Sequence, residues 1–308
     1  MNMMQYECTF IGSVTKDILM RVATPPASDS RISADMFVTS IGGVSSIAGS
    51  AFQSLGGKGA LISSIGDDDT GVFLKEDFKT LHFSYLDLHE IKGEKSSTSM
   101  IQIEHDGKRC LTCFGGCIDK LNFDMIDKSV LSRSRIVHLG VLNSDLMYQI
   151  CAYCKQHTQA LVSIDGGNLP QNLVEKLLPF IDIFVLDDKT VNRMLGLSPW
   201  EGCRYYLSKG VTYVCVTAGP DGSYLIIDGK ECHIPTIEGV HVIDTTGAGD
   251  NFHGAMLWCM VRGWKFLEAV KFANIFASLT TEGIGGRMSA PSFDKVMRIY
   301  NSGRNKNE

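Results

Sequence analysis

Two periodicities divide the apolar positions of the chain. Continuous apolar runs at residues 6–12 and 60–66 predict buried strands, each of which ends at a glycine. Apolar residues that recur every three or four positions over 47–55 and 71–81 predict two amphipathic helices. Strand and helix therefore alternate, which favours a parallel sheet packed between helices.

The same alternation continues through the second half of the chain. Four later apolar runs, each separated from the next by a helical pattern, predict strands at 136–139, 160–165, 181–186 and 213–217. The predicted fold class is α/β, with a three-layer α/β/α arrangement around a mostly parallel central sheet.

Two segments, 17–39 and 97–115, interrupt this alternation. The second contains the hairpin signal Asp106-Gly107, and together they predict a small β-sheet lid, with an oligomer surface as the alternative role. We expect the polar and charged residues 301–308 to form a disordered tail. The predicted α/β nucleotide- and substrate-binding domain consists of residues 1–16, 40–96 and 116–300.

Composition narrows the classes of partner. The 308 residues are 44% hydrophobic, which allows a sizeable core, and the formal net charge is −5. A negative overall charge provides no field for a nucleic-acid backbone or an anionic membrane surface, so small-molecule partners are favoured. No stretch has the pattern of a signal peptide or a membrane span, and we expect a cytoplasmic protein.

The chain contains ten cysteines, which raises the question of a zinc site. Cys110 and Cys113 fall in a predicted strand, where their odd separation points them to opposite faces. Cys151 and Cys154 fall in a helical pattern among apolar residues, which is typical of small core side chains. We therefore expect a set of reduced thiols.

Candidate chemistry is concentrated in residues 241–252, where a short β-like segment meets two glycines and then a strongly periodic helix. Gly247, Ala248 and Gly249 are expected at the helix N-terminus, where free N–H groups and the helix dipole accept an anion. Asp250 follows in the first turn, so one segment would supply the anion pocket and the proton acceptor of phosphoryl transfer. The alternative is an ordinary helix whose dipole Asp250 complements.

Two other nucleotide-binding patterns do not fit the sequence. A Walker A sequence is absent, since the run Gly57-Lys58-Gly59 lacks the upstream glycine and the hydroxyl residue. A nicotinamide-binding Gly-x-Gly-x-x-Gly pattern is also absent after the first strand, because residues 12–17 contain one glycine. A nicotinamide oxidoreductase is therefore excluded.

The run Asp244-Thr-Thr-Gly-Ala-Gly-Asp-Asn-Phe252 resembles the C-terminal signature of the ribokinase or PfkB family of carbohydrate kinases. The similarity extends over nearly the whole chain, from residues 12–17 and the pair Gly42-Gly43 to residues 217–222. This resemblance implies a ribokinase-like fold and an ATP-dependent phosphotransferase with an alcohol acceptor. A fructokinase- or ketohexokinase-like member fits best.

The resemblance also implies roles for individual residues. Asp250 would be the catalytic base, and the anion hole would consist of Gly247, Ala248 and Gly249. Substrate hydroxyls would be held by Asp17, Gly42 and Gly43, and further pocket candidates are Asn143, Arg109 and Cys113. The nucleotide-binding candidates are Asp187, Thr217, Gly219, Gly222 and Asn274. Besides ATP and magnesium (Mg2+), a potassium ion (K+) is implied, because Asp244 and Thr246 resemble a monovalent-cation loop.

Some of these residues also have ordinary structural interpretations, and three positions depart from the family pattern. The alternative interpretation of Asp17 is a solvated loop aspartate, and that of the glycines is a tight turn. Ile47 replaces a common substrate-binding asparagine, and Thr190 replaces a glutamate that helps to place magnesium. The Asp-x-Asn-x-Arg element of several sugar-acid kinases is missing after Asp165.

From these features we expect ATP-dependent phosphorylation of a hydroxyl on a sugar-like substrate. A nucleoside kinase of the same fold is one alternative. A non-catalytic ligand-binding regulator is another, because Ile47 and Thr190 depart from the family pattern. We also expect a homodimer formed through the β lid.

Overall fold

The computed structural model describes residues 4–167 and 169–304. Its strands are β1 (Tyr6–Ile11), β2 (Thr15–Val22), β3 (Met36–Gly42), β4 (Gly59–Gly66), β5 (Tyr85–Ile91), β6 (Thr98–Glu104), β7 (Arg109–Phe114), β8 (Ser134–Leu139), β9 (Leu161–Asp165), β10 (Ile183–Asp187), β11 (Tyr213–Thr217), β12 (Ser223–Ile227) and β13 (Lys230–Ile234). Its α-helices are α1 (Val44–Ser54), α2 (Asp69–Phe78), α3 (Lys128–Ser132), α4 (Ser144–His157), α5 (Gln171–Leu177), α6 (Asp188–Leu195), α7 (Pro199–Ser208), α8 (Ala248–Val261), α9 (Phe266–Thr280) and α10 (Phe293–Arg304).

In the described part of the chain, nine strands form the central sheet in the order β13-β12-β11-β10-β9-β8-β1-β4-β5. The strands from β11 to β5 are parallel to their neighbours, whereas β12 is antiparallel to β11 and β13. The strand order reverses at β1, which lies between β8 and β4. Ligands of open α/β sheets bind outside the carboxyl ends of the strands at such a reversal.

The central sheet separates two apolar cores. Ile11 and Leu186 face one core, which helices α3 to α7 cover. Their chain neighbours Phe10 and Val185 face the other core, which α1, α2 and α8 to α10 cover. Because helices cover both faces, the central strands are buried at almost every position, and their carboxyl ends form one edge of the sheet.

Strands β2, β3, β6 and β7 form a second sheet in the order β3-β2-β6-β7. Its inner face packs Leu19, Ile101 and Ile103 into a small core. The outer face carries Phe37, which is 68% exposed, and Phe114, which is 58% exposed. One side of this sheet is therefore apolar and uncovered within the described chain.

The predicted three-layer class and small β-sheet lid are confirmed. The lid begins at Thr15 and includes β3 up to Gly42, so Asp17 lies inside a lid strand and not at the end of the first strand. The edge strands β5 and β13, and β12 beside β13, escaped prediction, because they are short or only partly buried.

The chain end also differs from the expectation of a disordered tail from residue 301. Helix α10 continues through Arg304, because Val296 and Tyr300 are buried against the core and hold the helix on the domain. Residues 305–308, the rest of the expected tail, lie outside the described residues.

The cysteines expected in a helical core are buried, with Cys151 and Cys154 both on α4. Cys110 and Cys113 lie exposed on strand β7. Among the residues that the structure describes, no helix combines the length and the apolar character needed to cross a membrane.

Candidate active site

Helix α8 begins at an open N-terminus. Gly247 precedes it with φ of 71°, a left-handed conformation that glycine adopts without steric cost, and a Cβ there would lie 2.9 Å from Gly286 Cα. At Gly249 a Cβ would meet no atom within 4 Å. The first-turn N–H groups of an α-helix have no acceptor within the helix, so this space suits an anion.

Two buried side chains fix the turn before α8. Asp244 Oδ1 accepts hydrogen bonds from the Thr246 amide at 2.8 Å and the Thr246 hydroxyl at 2.6 Å, and its Oδ2 accepts one from the Gly285 amide at 2.9 Å. Asn251 Nδ2 donates to the carbonyls of Gly247 and Gly286, each at 2.8 Å. These bonds tie the loop at residues 285–286 to the turn and hold the helix N-terminus in place.

Asp250 is half-buried in the first turn of α8. Burial raises the pKa of its carboxyl well above the ordinary value, and the nearby carboxylate of Asp165 raises it further. The Arg109 guanidinium opposes this increase in pKa, and Asp17 adds to it. Four elements, α8, β9, β7 and β2, thus bring charged groups within electrostatic reach of one another.

Asp17 faces the inner side of the lid sheet. The strand register aligns it with Ser99 and Cys113 on the neighbouring strands. Burial raises the pKa of Asp17, whereas hydrogen bonds from the hydroxyls of Thr15 and Ser99 lower it. The lid therefore presents a shielded carboxylate with hydroxyl neighbours toward the sheet edge.

The predicted glycine pair makes room for this carboxylate. A Cβ at Gly42 would lie 1.9 Å from Asp17 Oδ2, which is closer than two atoms can approach. Gly43 has φ of 96°, and a Cβ there would lie 2.5 Å from the Ser13 carbonyl oxygen. Side chains at these positions would displace Asp17 or the turn that enters α1.

A cavity of about 680 Å³ opens beside the N-terminus of α8. Ala248 and Gly249 line one end, and apolar side chains such as Val242 and Phe252 contribute to the walls. Four of the predicted nucleotide-binding residues also line it, namely Thr217, Gly219, Gly222 and Asn274. An apolar compartment that continues into an anion site has the shape and chemistry of a nucleotide pocket.

Asn274 supports the wall of this cavity. Its Oδ1 accepts a hydrogen bond from Ser223 Oγ at 2.6 Å, and its Nδ2 donates to the Ile234 carbonyl at 2.9 Å. The amide is therefore engaged within the protein, and its position in the wall is mainly structural. Asp106, at the tip of the lid hairpin, also lines the cavity and was not expected there.

Two predicted site residues serve as helix caps. Asn143 Oδ1 accepts a hydrogen bond from the Leu146 amide at 2.8 Å and caps α4. Asp187 caps α6, where its two oxygens accept hydrogen bonds from the Thr190 amide and hydroxyl at 2.8 Å each. Neither residue lines the cavity, so the role that the structure shows for each of them is helix capping.

Sequence reasoning missed Asp165 and His253 as members of this site. Asp165 ends β9 at the carboxyl edge, and His253 Nε2 on α8 lies 3.5 Å from Asp165 Oδ2. An acidic residue directly after an apolar run, and a histidine three residues after Asp250, were the available signals. Their proximity depends on the packing of α8 against the sheet, which neither signal contains.

Comparison with known proteins adds an independent result. A family model described as pfkB family carbohydrate kinase matches residues 7–292. Ribokinase of Staphylococcus aureus is 25% identical over 254 residues, covering 77% of this chain and 81% of the relative. Nucleoside kinase of Methanocaldococcus jannaschii is 25% identical over 299 residues, covering 94% of this chain and 95% of the relative.

A solved structure gives the corresponding result for the fold. Arabidopsis thaliana ribokinase complexed with ribose and ATP superposes with a TM-score of 0.82 at 24% identity, covering 96% of this chain and 99% of that chain. The predicted ribokinase-like fold is thereby confirmed.

Proposed function

Because the chain belongs to the pfkB family of carbohydrate kinases and is thus a phosphotransferase with an alcohol acceptor, we propose that Asp250 is its catalytic base. The amides of residues 247–249 form the anion hole in this proposal. One observation carries it: Asp250 stands in the first turn of a helix whose N-terminus opens into the nucleotide-shaped cavity. A proton acceptor and an anion site therefore lie on one rigid element.

The proposed reaction is a single displacement. Asp250 accepts the proton of the acceptor hydroxyl while that oxygen attacks the γ-phosphorus of ATP. The bond between the γ-phosphorus and the β,γ-bridging oxygen breaks, and ADP leaves. A raised pKa brings the carboxylate closer to the operating pH and makes it a stronger base. The amides at the start of α8 bind the phosphoryl oxygens, on which negative charge is spread.

The cavity is the proposed site of ATP. The adenine would lie between the apolar walls formed near Ile237 and Val242, and the phosphates would point toward Gly249. Thr217 and Gly219 line the floor of this compartment. Gly222 also belongs to it, because a Cβ there would lie 2.0 Å from the Ile234 carbonyl oxygen, so the strand pair can close tightly only around glycine.

Magnesium would accompany the ATP phosphates and neutralise part of their charge. Asp187 is the sequence candidate near its hydration shell. Since both carboxylate oxygens of Asp187 accept hydrogen bonds from Thr190, its proposed role is limited to contact through water.

Asp244 is the proposed ligand of a monovalent cation such as K+. It is buried, and within residues 4–167 and 169–304 no Lys, Arg or His forms an ion pair with it. A buried carboxylate that is held only by amide and hydroxyl donors suits a cation, with Thr246 beside it. Such an ion would neutralise the turn that positions the anion hole.

Asp17 and Arg109 are the proposed acceptor-side residues. The buried Asp17 carboxylate can accept hydrogen bonds from substrate hydroxyls. Arg109 comes from the lid and acts electrostatically on both Asp17 and Asp250. At the lid tip, a Cβ at Gly107 would lie 3.2 Å from Val242 Cγ1, so the hairpin reaches the cavity rim and could exclude water.

The acceptor is a sugar or a nucleoside, and we propose a sugar-like hydroxyl as the first candidate. A nucleoside is the second candidate, since the ribokinase and nucleoside kinase relatives are each 25% identical to the chain. The fructokinase- or ketohexokinase-like subclass stays a prediction. The non-catalytic regulator is set aside, because the chain belongs to a kinase family and retains Asp250 in the first turn of α8.

An ATP-consumption screen tests the proposal. The panel contains aldopentoses, ketohexoses, sugar phosphates and nucleosides. Asp250→Asn should lower kcat by about 10²- to 10⁴-fold, the usual contribution of a general base. Asp145→Asn is the matched control, because Asp145 also lies in the first turn of a helix but is exposed on α4. Unchanged kcat in Asp250→Asn refutes the base assignment, and a wild-type enzyme that phosphorylates neither sugars nor nucleosides contradicts the proposed acceptor classes.

We also propose that the outer face of the lid sheet joins two copies of the chain. Phe37, Met100 and Phe114 are exposed there, between 47% and 68%, on one continuous sheet face. An apolar sheet face of this kind is typical of a protein contact. Phe37→Ser combined with Phe114→Ser should convert a dimer into a monomer in light scattering; a wild-type monomer contradicts the proposal.

A further inference from the structure

A line of buried polar side chains runs from α8 into the central sheet. His253 follows Asp250 by three residues, so both side chains leave the helix on neighbouring positions of one face. His253 Nε2 lies 3.5 Å from Asp165 Oδ2 at the end of β9. The rings of His253 and His138 have centroids 5.0 Å apart, and His138 Nδ1 lies 3.0 Å from Ser163 Oγ.

The protonation of the two histidines follows from their surroundings. Burial lowers the pKa of His138 well below the ordinary value and also lowers the pKa of His253. Both rings are therefore neutral at neutral pH, each with one donor and one acceptor nitrogen. His138 Nε2 and His253 Nδ1 are buried without a hydrogen-bond partner in the described chain.

One pair of tautomers fits the observed contacts. When Ser163 donates to His138 Nδ1, His138 carries its proton on Nε2, and when His253 carries its proton on Nε2, that nitrogen lies 3.5 Å from Asp165 Oδ2.

The other side of Asp165 is fixed as well. Its Oδ1 accepts a hydrogen bond from the Gly167 amide at 2.8 Å. The carboxylate is thus held between a turn of the main chain and an imidazole, at the sheet edge where Asp250 stands. The other charged groups that act on Asp250 are Asp17 from β2 and Arg109 from β7.

We propose that Asp165, held by His253 and the Gly167 amide, is a positioning residue whose fixed negative charge makes Asp250 a stronger base. This inference rests on the proposed role of Asp250 as the base. A nearby anion favours the protonated product of the proton transfer over the ionised starting form, so Asp250 accepts the hydroxyl proton more readily. His253 acts through Asp165 and does not touch the substrate.

Carbon-13 NMR of aspartate-labelled, full-length enzyme tests this electrostatic coupling without any substrate. Asp250→Asn assigns the Asp250 carboxyl signal, which is then titrated in the wild type and in Asp165→Asn. Removing the neighbouring charge should lower the pKa of Asp250 by more than the titration error. Asp145→Asn removes an exposed charge on α4 and should leave that pKa unchanged.

A second pair of variants tests the histidine. His253→Phe fills the space but removes the donor, so Asp165 loses its anchor and the pKa of Asp250 should change. His253→Gln keeps a donor and should restore the wild-type value. Once the acceptor is identified, Asp165→Asn should lower kcat by about 3- to 10-fold with little change in the KM for ATP.

Each result separates this role from a structural one. If Asp165→Asn and His253→Phe lower the melting temperature but leave the pKa of Asp250 unchanged, the network is structural and the inference is overturned. If Asp165→Asn does not fold, the two His253 variants decide by the same criterion. Full turnover in Asp250→Asn would overturn the base assignment itself, even where the titration shows the coupling.

Discussion

A methyl group at position 249 tests the anion hole without disturbing the fold. A Cβ at Gly249 meets no atom within 4 Å, and the residue lies in the first turn of α8. Alanine in place of a helical glycine stabilises by about 0.5–1 kcal/mol, so Gly249→Ala should fold and melt slightly higher. The methyl would occupy the space through which the phosphoryl group approaches. Turnover should therefore fall by about 10²- to 10³-fold, the effect of losing one oxyanion donor.

The assay combines thermal unfolding with ATP-dependent phosphorylation of the acceptor that the panel identifies. Gly247→Ala is the contrasting variant, because φ of 71° and a 2.9 Å approach to Gly286 Cα should destabilise it by about 1–2 kcal/mol or more. A stable Gly249→Ala variant with wild-type turnover would refute the anion hole. A Gly249→Ala variant that unfolds would refute the open space at the helix N-terminus.

Further predictions concern pH and the acceptor side. Because burial raises the pKa of Asp250, ionisation of its carboxyl opposes folding once the pH exceeds about 4, the pKa in an unfolded chain. The melting-temperature gain of Asp250→Asn should therefore grow as the pH rises from about 4 toward the raised pKa, and a constant difference would contradict this. The ionised base is the active form, so kcat/KM should decrease as the pH falls through that raised pKa, and a flat acid limb would argue against Asp250. Gly42→Ala would place a methyl group 1.9 Å from Asp17 Oδ2 and should therefore raise the KM of the acceptor at least about tenfold. Gly115→Ala, where a Cβ meets no close atom, is the unstrained control. An unchanged KM in Gly42→Ala would show that Asp17 does not belong to the acceptor site.

Helix-capping rules explain the positions of two residues that were predicted for the site. Asp187 and Thr190 are three residues apart, the spacing of a helix cap, and the structure shows this cap in place of an open metal ligand. Asn143 likewise caps α4. At both positions a capping role explains the residue better than a binding role does. A short polar side chain before a helix accepts hydrogen bonds from the free amides of the first turn.

Contacts between residues far apart in the sequence could not be predicted from such local rules. Asp17 lies inside the lid strand β2, where the register places it beside Ser99 of β6, a residue far away in the sequence. The contact of His253 with Asp165 joins a helix and a strand far apart in sequence. No periodicity connects them, since their proximity depends on the position of β9 in the sheet and on the side of the sheet that α8 covers.

The sequence by itself determined the fold class, the small lid and the glycine-bounded start of α8. These features follow from backbone geometry, because strand and helix periods, turns and caps involve residues that are close in the chain. Only the tertiary structure decided which charges surround Asp250. Strand order and helix packing bring Asp17, Arg109 and Asp165 to one edge, and the pattern of apolar positions is compatible with many such orders.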